Sequence, residues 1–454
     1  MLKTMTLCIS IKGIAFLTCK QQLLSRNIAL YIGRNMVLMI RGFSAMRILM
    51  LTAHLPFPPL SGGRRREFEL ISRLGTNYEI HLCSITKSWQ TDNKYVNELR
   101  SRCASVDLFK ALASDAGEYS LYPNQIRKHI SEEATLRIST LLRKKRFDVV
   151  HVEGYYLMQH LPAELHVPIL LVEHNIECLL QLQRFMLASN QDEKFYYWKE
   201  YVYTLKWEAA FWKRATICVT LTNDDKRCMS HLQHGLDIRT IPDGTDHQKV
   251  ISCTSSLCDV PYTNFDNNKY PSILFVANFA YEPNVDAALY FSDVIFPLII
   301  KKVPKARLFL VGNAPPTKIR SLSANKQIEV TGFVNSLIPY YEAANVVICP
   351  LRIGGGIKVK ILEALNAGKA IVSTSIGAQG LDLNTCQALA IADEASDFAK
   401  KVVEFLTDPI ERYQQEQEAL TYSKMLPSWQ QVSQQFANFY NEMSSHVQKQ
   451  PSNR

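Results

Sequence analysis

Along most of the chain short apolar runs alternate with longer stretches of helical period. Residues 47–52, 78–85, 147–152, 167–172 and 217–221 are apolar runs of strand length. Helix-length segments lie between them, including the aromatic-rich stretch 195–214. Residues 248–270, "QKVISCTSSLCDVPYTNFDNNKY", lose this rhythm. A second series then begins with strand patterns at 273–277, 306–311, 328–331, 346–350 and 370–374, and a helix starting at Val285. Strands separated by helix-length segments predict βαβ units and parallel sheets. The pattern therefore predicts an α/β protein with two Rossmann-like domains facing across a central cleft. The domains are placed at 46–250 and 271–426, with a linker at 251–270 and a last helix and tail at 427–454. Ligands of such sheets bind at the carboxyl ends of the strands.

Composition narrows the class. The 454 residues are 47% hydrophobic and 20% charged, as in a globular protein with a sizeable core. The net charge of +9 is uneven. Residues 1–45 hold Lys3, Lys12, Lys20, Arg26, Arg34 and Arg41 and no acid, so the body is close to neutral. That argues against a nucleic-acid footprint, which needs a basic stripe on the domain itself. Three readings fit this basic, apolar extension: a membrane-surface segment, a transit peptide, or an upstream start with Met46 as the first residue of the product. The eleven scattered cysteines, with no CxxC pair, fit reduced thiols in a cytoplasm. Cys83, Cys218 and Cys349 fall inside strand patterns and read as core. No apolar run reaches the roughly 20 residues of a membrane span, so contact with the inner face of a membrane would be peripheral.

The densest chemistry lies in "PLRIGGGIKVKILEALNAGKAIVSTSIGAQG", residues 350–380. Gly354, Gly355 and Gly356 follow a strand and are expected to open a helix. Backbone amides and the helix dipole there favour an anion such as phosphate. Arg352 and Lys358 would neutralise a diphosphate, although adjacent lysines also mark a solvated face. Glu363 sits among Ile361, Leu362, Ala364 and Leu365. A carboxylate on so apolar a helix needs a partner; a structural cap and the vicinal hydroxyls of a ribose both satisfy it. Gly62 and Gly63 precede a helix expected to start near Arg64, a second place for amides to meet a phosphate or simply a loop. His174 follows a strand at its carboxyl end, inside the expected cleft. His54 is similarly placed, and there a structural or acceptor contact is expected.

Together "RIGGGIKVKILEALNAGKAIVST", "ILFVANFAYEPNVDAALYF", "TIPDGTD" and "PFPPLSGG" resemble glycosyltransferase family 4, of the GT-B fold. The likeness is to the bacterial sugar transferases of exopolysaccharide and cell-envelope synthesis, and runs from Met46 to about Tyr440. It implies a metal-independent, retaining transfer from a nucleoside-diphosphate sugar to a glycan or lipid-linked acceptor. No cofactor beyond the donor is implied, and the chain has no DxD motif. By resemblance, Glu363 binds the ribose, Gly62 and Gly63 lie near the donor diphosphate, and His174 contacts the donor sugar. The segment "PSWQQVSQQFANFY" resembles the helix that crosses back to the N-terminal domain. Two departures stand out. The family's first glutamate falls at Gly355, and the loop "NFAYEPN" lacks the family's Arg and Lys. Arg352 and Lys358 are expected to supply that charge, and the amides of Gly355 and Gly356 to replace the glutamate.

Two other classes compete. A GT-B nucleotide-sugar epimerase would act on the free donor without an acceptor. A non-catalytic sugar-nucleotide-binding protein would bind without turnover. A dehydrogenase is disfavoured, because no GxGxxG follows the first strand of either half.

Overall fold

The structure, a computed structural model, describes residues 45–112, 121–245, 270–382 and 387–449. The readings for residues 1–44 and for the 251–270 linker up to residue 269 lie outside the described residues.

The first series of apolar runs folds as β1 (Arg47–Thr52), β2 (Glu79–Thr86), β3 (Ser105–Lys110), β4 (Val149–Glu153), β5 (Ile169–Glu173), β6 (Ile217–Thr220) and β7 (Ile238–Thr240). These form one seven-stranded sheet in the order β3-β2-β1-β4-β5-β6-β7. The second series gives β8 (Ser272–Val276), β9 (Arg307–Val311), β10 (Ile328–Gly332), β11 (Val346–Cys349), β12 (Ala370–Ser373) and β13 (Ala390–Ile391). They form a six-stranded sheet in the order β10-β9-β8-β11-β12-β13. The pairs are parallel throughout; Leu49, for example, sits opposite His81 on one side and Val150 on the other. Central strands such as β4 and β11 are buried along their whole length. Burial on both faces explains why they read as continuous apolar runs rather than as alternating ones.

Each sheet reverses its winding once, between β1 and β4 and between β8 and β11. A doubly wound sheet opens its binding crevice at that switch point. Loops following β1, β5 and β6 meet loops following β11 and β12. A Cβ on Gly62 would lie 3.0 Å from Val359, one on Gly356 2.2 Å from the His174 carbonyl, and one on Gly380 2.5 Å from Thr222. The carboxyl ends of the two sheets thus face each other, as the GT-B expectation requires.

The last helix, Trp429–Lys449, returns to the first sheet. Its start is fixed by a parallel bridge between Thr245 and Ser428. Gly244 approaches Trp429 so closely that a Cβ would lie 2.7 Å from its backbone nitrogen. Phe436 stacks on His151 of β4, and Tyr440 meets Tyr78 edge-on. The buried Arg66 guanidinium lies 5.4 Å from the Phe436 ring and is held by Asp243 and the carbonyls of Ile241 and Pro242. The helical run Glu282–Ile300 is long and apolar enough to cross a bilayer. Its Phe291, Ile295, Phe296 and Ile299 are packed in the core of the second sheet's domain.

Candidate active site

Two helix N-termini meet in the crevice. The first helix begins at Gly62, two residues earlier than the sequence suggests, and runs to Leu74. The second begins at Val359 and ends at Asn366. A helix leaves its first amides without acceptors in its own backbone. Neither end is closed internally here: Ser61 and Lys358, at the N-cap positions, make no side-chain capping bond, and neither first turn carries an acid. Two uncapped positive ends brought side by side are suited to a doubly charged anion.

The triple glycine departs from its expected role. It does not open the helix but precedes it by three residues. Gly354 offers its N–H to Gln183 Oε1 at 2.9 Å and accepts from Gln183 Nε2 at 3.2 Å. Gly355 faces Asn175 closely, a Cβ there falling 3.0 Å from its side chain. Gly356 has φ of +61° and presses on the His174 carbonyl. The glycines therefore let this loop lie directly on the loop after β5.

Lys358 folds back over the same loop and donates to the carbonyls of Gly355 (2.9 Å) and Gly356 (2.7 Å). Burial brings its pKa down to about 8, with Cys349 and Asp225 opposing the shift. Arg352 does not join it. Its guanidinium pairs with Asp286, 3.1 Å from Nε to Oδ2, and lies 4.4 Å from the Tyr290 ring. Lys360, which had no assigned role, donates to Asn284 Oδ1 at 2.6 Å.

Glu363 has the partners its burial demands. Arg65 of the first helix donates to Oε1 at 3.0 Å, and the Tyr341 hydroxyl donates to Oε2 at 3.2 Å. Burial raises its pKa, while Arg65 and Tyr341 oppose that shift. Each carboxylate oxygen accepts about two hydrogen bonds, so Glu363 retains acceptor capacity beside these contacts.

His174 stands across from Gly63, whose Cβ would lie 3.8 Å from its ring and 3.5 Å from that of His54. Its Nε2 is 2.7 Å from Glu153 Oε2. His54 and Glu67 lie 2.9 Å apart, off the line of a good hydrogen bond. Burial, with the Arg64 charge, brings the His54 pKa down to about 3. Burial and the neighbouring Glu153 push Glu67 well up. Polar atoms of Glu67, Glu153 and His174 lie within 4.8 Å of one another. Their contacts are those of a carboxylate–histidine array, with the Glu67 carboxyl pushed up by burial and Glu153 held down by its two histidine partners.

Arg65, Glu67, Gln183 and Glu153 were missed in the sequence: Arg65 and Glu67 lie on a helix read only for its glycine start, Gln183 in a segment given no element of its own, and Glu153 one residue past a strand pattern. A signal existed for Glu153: an acid that continues an apolar strand at its carboxyl end, in "DVVHVEG".

Comparison with known proteins agrees with this architecture. Residues 270–408 match the family described as "Glycosyl transferases group 1". An uncharacterized 44.6 kDa protein in the cps region of Klebsiella pneumoniae is 28% identical over 152 residues, which is 32% of this chain and 39% of that protein. The chain therefore spans well under half of that relative in the match. Among solved structures, sucrose-phosphate synthase from Thermosynechococcus elongatus superposes with a TM-score of 0.64 at 14% identity, covering 88% of this chain and 100% of that one. Anabaena HepE in complex with UDP and glucose gives 0.59 at 12% identity, covering 87% and 100%. A glycosyltransferase from Rickettsia africae gives 0.58 at 13%, covering 88% and 99%. The fold is GT-B, and these findings support a GT-B glycosyltransferase.

Proposed function

We propose that the protein is a retaining glycosyltransferase that moves a sugar from a nucleoside-diphosphate sugar to a hydroxyl of a glycan or lipid-linked acceptor. The observation that carries this reading is the facing pair of uncapped helix N-termini at Gly62 and Val359. Lys358 stands beside these ends, and one helix turn further along lies Glu363. In this reading the diphosphate takes its hydrogen bonds from the two positive ends with Lys358 beside it, and the ribose reaches Glu363 through its vicinal hydroxyls. The sugar then lies toward His174, Gly354, Gly355 and Gly356.

In the reaction the bond from the anomeric carbon to the β-phosphate oxygen breaks, and a bond to the acceptor oxygen forms on the same face. The acceptor proton passes to the departing phosphate oxygen, so no protein nucleophile is required. The helix ends and Lys358 face the charge that develops on the leaving diphosphate, which is electrostatic preorganisation. Arg352 acts on the same charge only if it exchanges Asp286 for the diphosphate. The reaction needs no divalent metal, so turnover is expected to survive a chelator. The cps-region relative supports a role in polysaccharide or cell-envelope synthesis. We place that role in the cytoplasm, with peripheral contact at the inner face of the membrane.

The test is product analysis with nucleoside-diphosphate sugars and glycan or polyprenyl-phosphate acceptors in the presence of EDTA. The expected result is release of the nucleoside diphosphate with a new linkage of unchanged anomeric configuration. An inverted linkage, or an epimerised donor formed without acceptor, contradicts the reading.

A further inference from the structure

Behind His174 a line of hydrogen bonds runs through the first domain to the last helix. His174 Nε2 lies 2.7 Å from one oxygen of Glu153, and His151 Nε2 lies 2.8 Å from the other. His151 Nδ1 lies 2.5 Å from the Tyr440 hydroxyl. Glu153 and His151 have fully buried side chains, whereas His174 keeps about a quarter of its side-chain surface exposed toward the crevice. One set of proton positions satisfies every contact. The Tyr440 O–H donates to His151 Nδ1, the His151 Nε2–H donates to Glu153, and the His174 Nε2–H donates to Glu153. His174 Nδ1 is then the nitrogen turned away from the line.

We infer that Glu153 is a positioning residue for His174, and that the C-terminal helix takes part in that positioning through Tyr440 and His151. This rests on the reading of His174 as a group that contacts the donor sugar. A ring held through Nε2 by a buried carboxylate has one orientation and presents Nδ1 to the crevice. The groups that face His174 agree with an ionised Glu153. Burial works against the His174 charge, but the bond to Glu153 and its charge outweigh it and raise the pKa; Arg66 opposes this and Glu67 adds to it. The neighbouring His54 stays neutral. Burial likewise works against the Glu153 charge, and the His151 and His174 rings overcome it. Tyr440 also stands on packing independent of its hydroxyl, against Tyr78 and Phe436, so a phenylalanine preserves the helix contact while deleting the O–H.

The experiment follows the His174 ring by histidine-labelled NMR in the full chain as pH is raised, with His174→Gln identifying the signal. In the parent protein His174 is expected to titrate above the usual value of about 6.5. Glu153→Gln keeps the shape and removes the charge; it is expected to lower the His174 midpoint by about one unit or more. It is also expected to lower kcat with little change in donor KM. Tyr440→Phe is expected to move the midpoint by a smaller amount and upward, because His151 without its donor on Nδ1 gives a weaker hydrogen bond to Glu153 and leaves more of the carboxylate charge to His174. An unchanged midpoint in Glu153→Gln overturns the positioning role. If that variant does not fold, an unchanged midpoint in Tyr440→Phe overturns the line to the C-terminal helix. The NMR readout does not depend on turnover. A shifted midpoint in a protein that transfers no sugar therefore upholds the Glu153–His174 pair and counts against the transferase reading alone.

Discussion

The two residues that most define the crevice, Lys358 and Glu363, are both mostly buried and both charged, and their neighbours decide how each behaves. Lys358 spends two of its hydrogen bonds on the glycine loop. With its pKa brought down to about 8 by burial, it loses its charge as pH rises through that value. Affinity for a nucleoside diphosphate is therefore expected to fall severalfold between about pH 7 and about pH 9, and Lys358→Met should flatten that dependence. Titration calorimetry across the range checks this; a flat profile in the parent protein refutes a charge role for Lys358. Both residues were visible in the sequence as charges on an apolar background. Their present partners were not, since Arg65 lies 298 positions away from Glu363. Spacing shows that a buried carboxylate needs partners but not which distant element supplies them.

At the scale of elements, the central strands were legible to within about two residues because burial on both faces leaves an uninterrupted apolar run. Of the edge strands only β10 was, at 328–331 against Ile328–Gly332; the other three were not. Strand β3, "SVDLFK", is half-exposed along most of its length, β7 has three residues and β13 has two. The helix starts were misjudged in both directions around glycine: the first helix includes Gly62, whereas the second excludes Gly356. The reason lies in backbone conformation, since Gly356 is left-handed and cannot belong to a right-handed helix. That geometry yields a prediction. Gly356→Ala combines a φ of +61° with a Cβ placed 2.2 Å from the His174 carbonyl, so the two loops can no longer lie together. Strain of about 1–3 kcal/mol is expected, visible as a lower thermal midpoint and a loss of turnover of tenfold or more. Gly332→Ala, with a similar φ of +74° but open space around it, carries the backbone cost alone and should leave turnover intact. Equal turnover in the two variants would show that the loop contact is dispensable.

For the whole molecule, the two-series rhythm of strands and helices was enough to foresee two parallel sheets, while the way they face each other is set by pairs such as Arg65–Glu363 and Gln183–Gly354 that no local pattern encodes. The first domain also buries several acids under its helices. Glu208 accepts from the amides of Glu177 and Cys178 at 2.7 and 3.0 Å, and burial raises its pKa to about 8. His174, Glu67 and Glu173 are raised as well. A raised folded-state pKa gives stability that is present below the unfolded value and is lost as pH climbs through the folded one. The contribution of Glu208 is thus expected to decline from about pH 5 to about pH 8, opposed at the acid end of that window by buried histidines such as His54 and His129, whose values are lowered; urea unfolding of the parent and of Glu208→Gln as a function of pH isolates it, and a difference between the two that does not change over that window contradicts the assignment. A nucleotide held in the crevice is the central claim. The most direct test is calorimetric titration of UDP, GDP, ADP and CDP into the parent protein and into Glu363→Gln. The prediction is that one diphosphate binds the parent, and that its affinity falls about tenfold in the variant, the loss of one or two hydrogen bonds to a charged group. Absence of binding by all four, or equal binding by both proteins, would contradict the ribose-and-diphosphate site.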